Sequence, residues 1–301
     1  MLRASALTVG TCCVALAVSG CSPKRMGISR MASALSSTAT AFARDNDPEF
    51  VRLAAPSTLK MVEMLLDEEP SHPGLLMTAC SGFTQYAYGF LHVEADMAEP
   101  PAGAPARELK GRGRAMYARA REYCVRALKL RHARAGVTFP RDPDPLLKMA
   151  KRADVPMLYW TAVAWGGELA LSDDQLARLG ELTAIRALLM RARELDEGWE
   201  AGALHEALIA LDGLPLLLGG NPARARAHFD RAVTLSQGES AFTYVTMAVS
   251  VAQPARDRVE FERLLRAALA IDGERPSLRL SNLIARKRAA FLLARIDRLF
   301  S

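Results

Sequence analysis

One apolar register returns several times along this 301-residue chain and limits what it can fold into. In Gly219–Leu235, GGNPARARAHFDRAVTL, residues Ala225, Phe229 and Ala232 fall at i, i+4 and i+7, and Val233 and Leu235 extend the stripe. At helical spacing the small Ala225 and Ala232 let a second helix approach closely, and Phe229 fills the space between them. Gly219, Gly220, Asn221 and Pro222 stop what precedes and start the helix, with Pro222 where its missing N–H costs nothing. The same order returns as Ala120, Cys124, Ala127, Leu128 and Leu130, as Ile185, Leu189, Ala192 and Leu195, and as Phe261, Leu265, Ala268, Leu269 and Ile271.

The reference alanines Ala127, Ala192, Ala232 and Ala268 lie 65, 40 and 36 positions apart. A turn followed by A-x3-F-x2-A-[LV]-x-L is the second half of a tetratricopeptide-like helix pair, whose period is about 34. The chain is therefore expected to be an all-α, degenerate solenoid or bundle of such pairs, with the longest gap holding an inserted helix pair. An irregular helical bundle would share the periodicity but not the loop-then-register order. Ala, Leu and Arg dominate and β-branched runs are scarce, which fits the all-α class.

The first twenty residues stand apart. Arg3 precedes the mainly apolar run Ala6–Val18, and Val18-Ser19-Gly20-Cys21 follows. Small residues before a cut site mark residues 1–20 as a secretory signal, and the last four match the bacterial lipobox. The run is too short to span a bilayer. Lipidation at Cys21 is expected; at about 0.8 kcal/mol per buried CH₂, several acyl chains anchor durably. Ser22, rather than Asp, follows the cysteine, which by enteric-type sorting directs a periplasmic lipoprotein to the outer membrane. Residues 21–45 read as a tether with a weak first helix in MASALSSTATAFA, and residues 46–301 as the helical domain.

Without Arg3, Lys+Arg falls from 39 to 38 against 33 Asp+Glu. The excess is modest and spread over helix faces, as at Arg224, Arg226 and Arg231, so nucleic acid is not indicated. Cys80 and Cys124 remain in apolar helical patterns. An exported compartment permits a disulfide between them, but two free buried thiols are the expected case.

Within the domain, Pro48–Ala55 and Pro56–Asp67 read as a helix pair or one kinked helix, Leu75–Ala95 as one long helix, and Arg107–Arg131 as another. Gly136–Pro145 reads as a loop. Ser172-Asp173-Asp174 reads as an N-cap with an acidic first turn.

Five segments in order, PMLYWTAVAWGGE, LDEGWEAGALHEAL, GGNPARARAHFDRAV, FERLLRAALAID and LSNLIARKRAAFLLARIDRLF, together with the lipobox, resemble the TatT component family. The likeness runs from about Leu59 to Phe300, and the order of the segments carries it rather than any one motif. These are periplasmic lipoproteins of tripartite ATP-independent periplasmic (TRAP) transporters. The resemblance implies a homotrimer with cryptic tetratricopeptide motifs that engages the periplasmic solute-binding subunit. It also implies a cavity or pore through the helices for an apolar ligand. GALHEALIALDGLPLLLGG is more leucine-rich than the family's Gly-Ala-x-His context.

Candidate cavity residues cluster where the repeat spacing is most stretched: Tyr159, Trp160, Trp165 and Glu168, then Trp199 and His205, with Asn282 and Arg286 near the end. Glu168 lies beside two indoles on an otherwise apolar helix and is costly to bury unpaired. It reaches water in a cavity or meets a partner, for which Arg286 or Lys287 is available. The tryptophans fit a core as well as a cavity wall, and His205 fits a hydrogen-bonded core position as well as a binding one. Asn282 fits a bond to a neighbouring helix's backbone. Gly166-Gly167 lets another backbone pass close.

Signals for catalysis or cofactors are lacking. His205-Glu206 has no second histidine for HExxH, the five histidines form no ligand spacing, and there is neither G-x-S-x-G nor a phosphate-cradling loop. The expected function is a non-catalytic, lipid-anchored accessory subunit of a TRAP system. The alternative is a general tetratricopeptide scaffold lipoprotein for envelope assembly, binding peptides in a concave groove.

Overall fold

Each recurrence of the register becomes the second helix of a pair. A computed structural model describes residues 38–98, 103–136, 138–272 and 275–301, with a few positions between 27 and 35. Cys21, the lipobox and residues 1–20 lie outside the described residues, as does most of the tether. The helices are α1 (Thr38–Ala43), α2 (Pro48–Glu68), α3 (Pro73–Ala87), α4 (Val93–Met97), α5 (Gly103–Arg131), α6 (Asp144–Met149) and α7 (Val155–Ala170). They continue as α8 (Glu181–Leu195), α9 (Ala203–Asp212), α10 (Pro222–Ser236), α11 (Ala241–Met247), α12 (Arg258–Ala270), α13 (Arg279–Leu293) and α14 (Ile296–Leu299). No strand occurs among the described residues.

Caps explain where these helices begin. Asp47 accepts from the amides of Glu49 and Phe50 at 3.0 Å to open α2, Asn221 accepts from Arg224 N at 3.0 Å to open α10, and Asp257 accepts from Glu260 N at 2.9 Å to open α12. Pro56 is accommodated inside α2, so the segment from Pro48 is one helix rather than two. The long helix read over Leu75–Ala95 is α3 and α4 joined by a π-helical turn, Tyr88–His92. A second π turn, Ala248–Ala252, extends α11.

Helix α3 packs on α5, α7 on α8, α9 on α10, and α11 on α12. The register residues bury the seam of each pair: Ala120, Ala192, Ala232 and Ala268 are fully buried, and Phe229 packs edge-on to Tyr244 with ring centres 5.4 Å apart. Close approach has its own residues. A Cβ on Gly167 would stand 2.5 Å from the Tyr117 ring, so that ring lies against the backbone of α7. Gly202, at φ +99°, turns the chain where a Cβ would stand 3.2 Å from Ala232 Cα.

Three expectations change. The longest gap is taken up by the six-residue α6 and a turn at Arg152–Asp154, while α7 and α8 form an ordinary pair. Ser172 and the two aspartates do not cap a helix: the Ser172 hydroxyl donates to Glu168 O at 2.9 Å and accepts from Arg178 at 2.8 Å, and Asp173 pairs with Arg114 at 3.1 Å. Cys80 and Cys124 are not free thiols. They form a disulfide with Cα atoms 5.0 Å apart, bolting α3 to α5. Two apolar faces packed at register positions brought the thiols into bonding range, which spacing along the chain could not reveal.

The array closes on itself. Helix α13 packs on α11 and α12 and also reaches α1, α2 and α4. Arg288 pairs with Asp96 at 2.7 Å, Lys287 pairs with Glu94, and the Tyr88 and Phe242 rings meet with centres 5.1 Å apart. The first and last pairs thus touch, and the solenoid becomes a ring.

Candidate functional site

The first helices of the four pairs (α3 with its π turn, α7, α9 and α11) each bring one side chain to a common region. These are Tyr88, Tyr159, Glu206 and Phe242. All four are half-buried, so each keeps some accessible surface. Burial nevertheless pushes up the Tyr88 and Tyr159 phenols, and the nearby Glu206 carboxylate pushes both further. Burial also raises Glu206, against the lowering effect of two hydroxyl donors.

Glu206 Oε1 accepts from Ser240 Oγ at 2.5 Å and from Thr243 Oγ1. Ser240 also caps α11, so the same hydroxyl starts that helix and holds the carboxylate. Tyr88 Oη takes a hydrogen bond from Arg288 at 3.3 Å.

Of the residues singled out in the sequence, Tyr159, Trp160 and Trp199 come together. The Tyr159 ring lies 4.9 Å from that of Trp160 and 4.7 Å from that of Trp199. Trp199 reaches it from a turn in which Glu200 and Ala201 adopt φ of 45° and 52°. Non-glycine residues there cost about 1–3 kcal/mol each, which the packing around the turn must offset.

Trp165 and Glu168 belong to a different cluster, inside the seam of α5, α7 and α8. The Trp165 indole N–H donates to Glu181, and Arg121 stacks over the indole with its guanidinium carbon 5.6 Å from the ring centre. Glu168 does not meet Arg286 or Lys287. It pairs with Arg121 at 2.6 Å and Arg178 at 3.1 Å, and Lys287 pairs with Glu94. Arg286 lies on α13 with a buried Nε that has no hydrogen-bond partner.

His205 forms a third cluster with residues that the sequence reading passed over. Its Nδ1 lies 2.9 Å from His228 Nδ1, and its Nε2 lies 3.2 Å from Glu197 Oε1. His228 Nε2 faces Asp212, 3.5 Å away, and Arg186 and Arg224 hold Asp212 at 2.7 and 2.9 Å. Burial lowers both imidazoles, His228 to about 4, while Arg231 holds Glu197 at about 2.

Asn282 is tied to backbone. Its Oδ1 accepts from Ala241 N at 2.9 Å and its Nδ2 donates to Glu239 O at 2.8 Å, which fixes α13 to the start of α11. In the leucine-rich GLPLLLGG, Leu216 and Leu217 project into solvent instead of facing the Tyr159 region.

Glu206 was legible only as half of an incomplete zinc motif. Its signal, a carboxylate inside the apolar ALHEALIAL, is the same that drew attention to Glu168. Tyr88 and Phe242 gave none, because their meeting depends on ring closure between residues 154 positions apart.

No helix among the described residues is long and apolar enough to cross a membrane. The family model described as TRAP transporter T-component matches residues 44–300. A relative from Treponema pallidum (strain Nichols), described as an uncharacterized protein, is 26% identical over 319 residues that take in 97% of this chain and 98% of its own length.

Proposed function

The chain belongs to the TRAP transporter T-component family, and from that premise we propose that it is a non-catalytic, lipid-anchored periplasmic subunit of a TRAP uptake system. It works as a homotrimer, engages the solute-binding subunit, and holds an apolar ligand inside the ring of helices. The observation that supports the ligand reading is the aromatic set on the first helices of the pairs: Tyr88, Tyr159 and Phe242 are half-buried, Tyr88 meets Phe242, and Tyr159 meets Trp160 and Trp199. Pockets for small ligands are mostly apolar with a few oriented polar groups, and Glu206 supplies one. The disulfide between Cys80 and Cys124 supports an exported, oxidising location.

The scaffold alternative wants an open groove lined with Asn and Lys. Contact between α13 and α1, α2 and α4 closes the ends of the array, and aromatic side chains occupy the inner helices. The transport reading fits these features better.

Two measurements test it. The purified chain and the solute-binding subunit of a TRAP system from the same organism should co-elute in size-exclusion chromatography as a complex larger than either; separate elution at micromolar concentrations of both counts against the partner. Palmitate labelling should be lost in Cys21→Ala, and undiminished labelling would rule out that anchor.

A further inference from the structure

The buried carboxylates among the described residues are each met by an arginine. Glu63 has Arg119 at 3.4 Å, Asp154 has Arg131, Glu168 has Arg121 at 2.6 Å, and Asp212 has Arg186 at 2.7 Å. Glu206 differs. Its hydrogen-bond partners among the described residues are the hydroxyls of Ser240 and Thr243, which are themselves buried and both meet Oε1. A half-buried carboxylate met only by neutral donors keeps its charge uncompensated, and a cation would relieve it.

The surroundings favour a cation of a particular kind. The rings of Tyr88 and Phe242 meet with centres 5.1 Å apart, and Phe242 lies between Ser240 and Thr243, the two residues that bond this carboxylate; Tyr159 is near enough for its phenol to feel the charge. Aromatic faces attract cations through the ring quadrupole, contributing most where water is excluded. Arg288 pairs with Asp96 at 2.7 Å and donates to the Tyr88 hydroxyl at 3.3 Å.

From this arrangement we infer that Glu206, with Tyr88, Tyr159 and Phe242, forms a head-group subsite for an amphiphile carrying an ammonium group, whose alkyl part lies along the aromatic interior. The inference rests on the internal-cavity reading and adds to it the charge of the ligand. Glu206 Oε2 is the atom that meets the ammonium, since the two hydroxyls take Oε1. An organic carboxylate of the same length would meet Glu206 with like charge, so the site discriminates against it.

Three ligands that share a chain and differ only in head group test this. Octylammonium, octanol and octanoate are titrated calorimetrically into the full chain held in nanodiscs, with empty nanodiscs as blank. Octylammonium is expected to bind at least tenfold tighter than octanoate. Glu206→Gln keeps the shape and the acceptor for Ser240 and Thr243; it should bring the two within about threefold and leave octanol unchanged. Phe242→Leu should weaken octylammonium more than octanoate while leaving the carboxylate in place. Octanoate binding as tightly as octylammonium, or a preference that survives intact in Glu206→Gln, overturns the subsite. If octanol binds but head groups are not distinguished, the cavity stands and this inference alone falls. If none of the three binds, the cavity reading falls and takes the subsite with it.

Discussion

His205 and His228 face each other through their Nδ1 atoms at 2.9 Å, deep in the seam between α9 and α10. One imidazole must therefore donate to the other. With Glu197 accepting from His205 Nε2, His205 Nδ1 is the acceptor and His228 Nδ1–H the donor; with Asp212 accepting from His228 Nε2, the roles reverse. Either way the neutral pair serves one of the two outer carboxylates and leaves the other facing a bare ring nitrogen, and Asp212 Oδ2 is a buried oxygen without a hydrogen-bond partner.

Burial lowers both imidazoles in the folded chain, so the unfolded chain binds protons that the native one resists. Stability is then fully present above the unfolded histidine value, about 6.5, and is lost as pH falls toward the folded value of about 4 for His228. The loss over that window should be on the order of 2–3 kcal/mol. Glu197, held at about 2 by Arg231, contributes its own loss only at lower pH. Urea melts at pH 7.0, 6.0 and 5.0 should show the decline, and His228→Gln should flatten it. A midpoint that rises on acidification would refute the assignment.

The disulfide closes a stretch of 44 positions between α3 and α5. Loop-closure entropy for that length corresponds to about 4 kcal/mol, within the usual 2–5 kcal/mol for removing a native bridge. Guanidinium melts with and without reductant should differ by that amount, and the Cys80→Ala, Cys124→Ala double variant should match the reduced protein. An unchanged midpoint under reductant would show that the bridge does not form in solution.

Phe229 is 6% exposed, packed on Tyr244, with the Arg226 guanidinium 5.4 Å above its ring. Phe229→Ala should cost about 3–5 kcal/mol, as aromatic truncation in a core does. A melting curve like that of wild type would mean that the α10 seam is not packed in this way.

The fold was legible to the extent that it is local. Period, caps and breakers placed the paired helices because each depends on residues within a turn or two, as Asn221-Pro222 and Asp257 illustrate. The backbone role of Asn282 was legible for a similar reason: a buried amide must spend both donor and acceptor. Partners across the chain were not legible. Glu168 reads in the sequence as needing either water or a partner, yet Arg121 and Arg178, which meet it, look there like any other helix-face arginines. Ring closure rests on Arg288 with Asp96 and on Tyr88 with Phe242, and no spacing rule brings those positions together.

Trp165 and Glu168 provide the sharpest separation between packing and ligand binding. Glu168 is 7% exposed and carries two arginines, and its neighbour Trp165 is bonded to Glu181, which Arg178 also holds at 2.8 Å. Replacing Glu168 by Gln keeps the shape but leaves Arg121 and Arg178 facing a neutral amide in the seam. Breaking a buried pair from one side costs about 3–5 kcal/mol, less whatever water Arg121 can recruit. Tyr159→Phe, in contrast, removes only a hydroxyl on the inner face and should leave the melt near that of wild type. The two variants should therefore diverge: Glu168→Gln melts early and, at temperatures where it remains folded, binds octanol normally, whereas Tyr159→Phe melts normally and binds octylammonium more weakly. If Glu168→Gln were as stable as wild type and lost octanol binding, Trp165 and Glu168 would belong to the cavity wall, and the interior would extend into the α5–α7 seam.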